Sequence, residues 1–112
     1  MLRDQRDYIL RMIAVAAAAL ARLREQLANG GMPTEVVQAA RAAQGELLGK
    51  DAALLRALDP ATAARMLGAD RIPVWADLLA VEADALRAAG KPDESAAIAA
   101  RATALAALKE KR

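Results

Sequence analysis

The residues able to do chemistry are few: one Ser, three Thr, one Tyr, one Trp and scattered carboxylates, with neither Cys nor His. Without Cys there are no disulfides or thiolate metal sites, and without His the commonest metal ligand and the usual neutral-pH general base are missing. The most suggestive acidic grouping is Asp77, Glu82 and Asp84, where two carboxylates a heptad apart and a third nearby could hold a divalent cation such as Mg²⁺. No clear acidic helix faces that grouping, so a solvated surface paired with Arg87 is the simpler reading. Ser95 opens a helix with no His or Lys placed as a base, so it reads as a small residue at a close helix contact rather than a nucleophile.

Tyr8 and Trp75 each join a large apolar body to one hydrogen-bonding group, which would suit a ligand pocket as well as a core or interface anchor. Gly30 and Gly31 sit between two helical patterns, a place suited to holding a phosphate, but their spacing fits neither a Walker loop nor a dinucleotide fingerprint. Basic residues are dispersed from Arg6, Arg11, Arg22 and Arg24 to Arg101, Lys111 and Arg112, against a formal net charge of only +2. No aromatic residues alternate with them to stack on bases, so nucleic-acid binding is not expected. No catalytic residue, metal site or cofactor is assigned.

The elements that would position these residues are helical. Ala, Leu, Arg, Glu and Lys dominate, strand-favouring residues are scarce, and the fold class is all-α, with about six helices in one domain. Apolar residues make up 56% of the chain, yet Phe is absent. A core of Leu, Ile, Val, Met and Ala is thin, since each buried Ala contributes little, and burial between copies would supplement it.

The first helix, Tyr8 to Ala28, is the stretch around which the chain is expected to be organised. Ile9, Ala16 and Leu23 recur every seven residues, interleaved with Ile13, Leu20 and Leu27. A second apolar row, Tyr8, Met12, Val15 and Ala19, leaves the helix apolar on more than one side, whereas a surface helix needs one such face. Either helix 1 is central and covered twice by its own chain, or the second row meets another copy; the thin core favours the homodimer. Asp4 is expected to cap this helix, and Asn29, Gly30 and Gly31 to end it.

Pro33 opens the second helix, with Val36, Val37, Ala40, Ala43, Leu47 and Leu48 as its buried stripe and Gly49 as its stop. Two short helices follow, one capped by Asp51 and one opened by Asp59-Pro60. Asp70 is expected to cap the fifth helix, which carries Trp75, Leu78, Leu79, Val81 and Leu86. The last begins at Pro92 and buries Ile98, Ala102, Leu105 and Leu108, with Lys111 and Arg112 suited to its C-terminal dipole. The chain thus divides into a first hairpin (1–49), a short-helix connector (50–70) and a second hairpin (71–112). The apolar run Met12 to Ala21 is ten residues long, against roughly 20 needed to cross a bilayer. Membrane insertion is not expected, and the compartment read from the sequence is the cytoplasm.

Sliding the chain on itself by 59 residues superposes Gly31, Pro33 and Glu35 on Gly90, Pro92 and Glu94. Each hairpin resembles a tetratricopeptide-type unit: Gly31, Leu23, Leu27 and Ala43, and then Gly90, Ala83, Leu86 and Ala102, fall on that family's small or apolar positions. Glu82 occupies a usually apolar position, Arg24 a usually small one, Val36 and Ser95 replace alanines, and the large aromatics are missing. The period of 59, against about 34 for such repeats, argues against a solenoid. Over nearly its whole length the chain also resembles a family of small, uncharacterised bacterial all-helical proteins, through Asp7-Tyr8-Ile9-Leu10-Arg11-Met12-Ile13, Glu46-Leu47-Leu48-Gly49-Lys50-Asp51 and the closing Leu86 to Glu94 hairpin. That resemblance implies the fold and carries no activity.

The sequence therefore points to a non-enzymatic interaction module that self-associates through Tyr8, Met12, Val15 and Ala19 and receives a partner protein or peptide in a groove between its hairpins. Arg22, Arg24, Asp77 and Glu82 are read as exposed candidates for a partner surface. The alternative is a small-molecule binder or enzyme accessory subunit with a pocket near Trp75 and Tyr8.

Overall fold

The computed structural model describes residues 2–110. Among these, six α-helices account for nearly all of the chain: α1 (Leu2–Ala28), α2 (Pro33–Leu48), α3 (Ala52–Ala57), α4 (Pro60–Leu67), α5 (Ile72–Ala88) and α6 (Pro92–Glu110). The fold is all-α, as the composition dictates. Single 3₁₀ turns, Gly49–Asp51 and Ala69–Arg71, lead into α3 and α5. Lys111 and Arg112 lie outside the described residues.

The organising element is α5, not α1. Trp75, Leu78, Leu79 and Ala85 on α5 have no exposed surface, and the helix packs against α1, α2 and α6 together. Among the described side chains of α1, only Ala16, Leu20 and Leu23 are fully buried, while Ile13 and Leu27 are partly so. The heptad seam of α1 is real but narrow. An Ala-rich helix gives a neighbour little to bury, whereas α5 carries Trp, Leu, Ile and Val around most of its circumference and so must be enclosed.

Both hairpins close on the same turn. In the first, Gly31 N–H donates to Gln26 O at 2.8 Å while Gly30 adopts φ 80°; in the second, Lys91 N–H donates to Leu86 O at 2.9 Å while Gly90 adopts φ 81°. These are left-handed helix terminations, which L side chains resist and glycine does not. The glycines doing the same job are Gly30 and Gly90, so the repeat is offset by 60 at the turn, and the extra residue Met32 restores the offset of 59 at Pro33 and Pro92. Gly31 is required for another reason: a Cβ there would sit 2.8 Å from Gln26 O.

Of the expected caps, only Asp59 holds. Its carboxylate accepts from Thr62 N–H at 3.1 Å and from Thr62 Oγ1 at 2.7 Å, and these bonds lower its pKa. Asp51 precedes α3 without a side-chain cap. Asp4 lies inside α1, which begins before it. Asp70 lies in the 3₁₀ turn, 3.7 Å from the Arg6 guanidinium, and α5 starts from Arg71 with no side-chain cap. Arg71 instead reaches back to donate to the carbonyls of Leu47 and Leu67 at 3.1 and 3.3 Å, satisfying acceptors near the ends of α2 and α4.

Candidate functional site

An open groove of about 880 Å³ runs between α1 and α2, with Gly49 of the following 3₁₀ turn also lining it. Its α1 wall contains Tyr8, Met12, Val15 and Ala19, the complete second apolar row, and Arg22 completes the same face. Its α2 wall is Ala39, Ala42, Ala43 and Gly45, and its floor includes the buried Ala16, Leu23 and Leu47. The two walls arise from different rules. On α1 the residues recur at helical spacing and stay large, whereas on α2 the outward side is almost bare of side chains, so backbone lies close to the surface. Tyr8 is 57% exposed and Val15 56%. Arg11, Gln26 and Glu46 also line the groove.

This groove is within the first hairpin, not between the two hairpins as expected. The inter-hairpin space is filled, because α5 packs directly on α2 and α1. Trp75 and Tyr8 do not share a pocket either. Trp75 is fully enclosed, and its indole N–H donates to Gln44 Oε1 at 3.2 Å, while the Arg101 guanidinium lies 5.5 Å from its ring centroid in a cation–π arrangement.

The largest correction concerns Glu82, which has no exposed surface. Its carboxylate accepts from Gln44 Nε2 at 2.7 Å and from Arg41 Nε at 2.9 Å, and is bound through both oxygens by Arg56 at 3.1 Å. Gln44 Oε1 in turn accepts from Arg56 and from Trp75. Burial alone would push the Glu82 pKa up, but the hydrogen bonds from Arg56, Gln44 and Arg41 outweigh it and hold the carboxyl below its ordinary value. Burial, reinforced by the Arg56 charge, lowers the Arg101 pKa. The cluster ties α2, α3 and α5 together and leaves no open face on which a substrate could meet the carboxylate.

With Glu82 inside and Asp77 and Asp84 exposed, the acidic grouping dissolves. Among the described residues no set of His, Cys, Asp or Glu is placed to hold a metal ion. Arg24 and Asp77 face each other at 4.0 Å, both more than half exposed, a pair of small energetic weight. Ser95 is buried and donates to Ala83 O at 2.7 Å, the close α5–α6 contact expected of it. Sequence reasoning missed Gln44 and misplaced Glu82, although both stand on buried helical rows: Ala40, Gln44, Leu47 and Leu48 on α2, and Leu78, Leu79, Glu82 and Leu86 on α5. A polar residue in such a row signals a paired interior group.

Fold and groove together define a small all-helical protein of two packed hairpins whose first hairpin carries an unfilled apolar channel. The chain matches no protein-family model, and neither curated proteins nor solved structures gave a match. Among the described residues no helix is long and apolar enough to cross a membrane.

Proposed function

We propose that the chain is a non-enzymatic helical interaction module of the small bacterial family its N-terminal motif resembles, acting in the cytoplasm and self-associating through α1. The observation that carries this reading is the exposure of Tyr8 and Val15 on one face of α1, lining a groove whose opposite wall is alanine and glycine. An amphipathic helix laid into such a channel would bury its own apolar row and that of α1 at once. The groove lining offers small side chains, apolar bodies and a few rim charges, which suits docking better than bond-making. Tyr8, Arg11 and Met12 of the N-terminal motif all line it.

The test is Val15→Glu. In sedimentation velocity the wild-type chain is expected to run as a dimer and the variant as a monomer, with helical circular dichroism unchanged. A wild-type monomer, or a variant that dimerises with unchanged affinity, would overturn the proposal.

A further inference from the structure

We infer that two copies pair through α1 in antiparallel, two-fold fashion with Val15 at the axis, so that Tyr8 of each copy meets Arg22 of the other; this rests on the self-association proposed above. A two-fold interface matches the same patch with itself. With Val15 on the axis, any residue of α1 faces the residue whose number makes the pair sum to thirty.

That register is complementary in size. Taking helical residues 3 and 4 apart as one face, the surface of α1 centred on Val15 runs Asp4, Tyr8, Arg11, Met12, Val15, Ala18, Ala19, Arg22 and Gln26, of which all but Asp4 and Ala18 line the groove. All of these except Met12 and Ala19, which are half-buried, are exposed. Arg11 and Met12 precede Val15, and Ala18 and Ala19 follow it at the mirrored positions. Antiparallel pairing therefore sets Arg11 on the partner's Ala19, and Met12 on the partner's Ala18. Knobs meet gaps, as close helix packing requires. A parallel pair would stack Tyr8 on Tyr8, Met12 on Met12 and Arg22 on Arg22, leaving the alanines facing each other across a void.

The register also keeps each arginine off its own copy. Arg22 stands in one half of the row, and Asp4 and Arg11 in the other. Reversing the second helix brings the partner's Arg22 onto the Tyr8 ring, where a guanidinium gains from the aromatic face. Parallel pairing would instead bring like charges together, Arg22 on Arg22. The alanine wall of α2 lets the second α1 settle towards the groove floor, because Ala39, Ala42 and Ala43 hold it off by no more than a methyl group.

The chain has no cysteine, so introduced thiols report without background. Helices with axes roughly 8–10 Å apart bring facing Cα atoms to about 4–5 Å, within disulfide reach. Under mild oxidation, Val15→Cys is expected to cross-link to itself. Tyr8→Cys and Arg22→Cys should each remain uncross-linked alone and form a mixed disulfide when combined. The pair Arg11→Cys with Ala19→Cys, which leaves Tyr8 and Arg22 in place, should behave the same way and covers loss of affinity in the first pair. Self-cross-linking of Tyr8→Cys and of Arg22→Cys would show a parallel pair and overturn the inference, as would a wild-type dimer in which none of these variants cross-links. In both cases self-association itself would stand. A wild-type chain that sediments as a monomer would overturn both.

Discussion

Glu82 is an ionised carboxylate inside an alanine- and leucine-rich core, stable there because Arg41, Gln44 and Arg56 satisfy it from α2 and α3. Removing one partner from such a cluster strands the others. Glu82→Ala is expected to lower unfolding free energy by about 3–5 kcal/mol in urea denaturation. Replacing Glu82 and Arg56 together by Leu and Met should recover part of that loss, since a buried ion pair exchanged for apolar bulk is often neutral while the buried Gln44 amide is left without its acceptor. If the single substitution costs no more than a surface change, the cluster is not closed as described. The pH dependence has a definite sign. Because the folded pKa of Glu82 is depressed, its contribution is complete above the ordinary glutamate value of 4.5 and is lost as pH falls through the folded pKa. The urea midpoint should be flat through neutrality and fall in acid, and a midpoint that rose on acidification would mean that Glu82 is already protonated at neutral pH. This site was half legible in the sequence. The departure of Glu82 from an apolar pattern was visible, but its partners stand 26 to 41 positions away along the chain, and only folding brings them together. Tyr8, Met12, Val15 and Ala19 were legible as a row because helical periodicity is local.

Among the elements, α1 and α5 exchange the roles that their patterns suggested. Periodicity shows which residues of a helix share a face but not how many neighbours that face will find, and α1 has the longer pattern with the smaller side chains. The consequence is a helix of two characters. From Ala16 to Leu23 it is anchored in the core, whereas none of its described side chains before Ala16 is fully buried. Substitutions on the two faces should therefore separate cleanly. Leu20→Glu, at a buried position, is expected to destabilise the fold by several kcal/mol through an unpaired interior charge (about 3 or more). Val15→Glu, at an exposed one, should leave helical circular dichroism and the thermal midpoint of the monomer unchanged. Equal loss of helix in both variants would mean that Val15 packs within its own chain. The turns were better read than the caps. Gly-x-Pro-x-Glu located both turns, because glycine and proline act through the backbone of their own neighbourhood, although the glycine that matches Gly90 is Gly30 rather than Gly31. Asp51 and Asp70 failed as caps because 3₁₀ turns carry the chain into the next helix without leaving free amides for them.

At the scale of the whole molecule, the two hairpins are related in sequence but differently employed. The second contributes the enclosed helix α5, with Trp75 and Leu79 at the centre of the core; the first lends one side to that core and turns the other outward as the α1–α2 groove. The all-α class follows from composition and was readable in advance. That the space between hairpins would be filled, and the channel placed inside the first, depends on α5 packing across α2, which no local pattern encodes. In a molecule measuring 45 × 25 × 25 Å, the proposed pairing would bury the side of the longest helix, α1, that its own chain leaves exposed. The most direct measurement is the mass of the wild-type chain in solution, by sedimentation velocity from low to high micromolar concentration, beside Val15→Glu. The expected result is a wild-type dimer that dissociates on dilution and a variant that stays monomeric and helical throughout. A wild-type chain that remains monomeric at the highest concentration would contradict it.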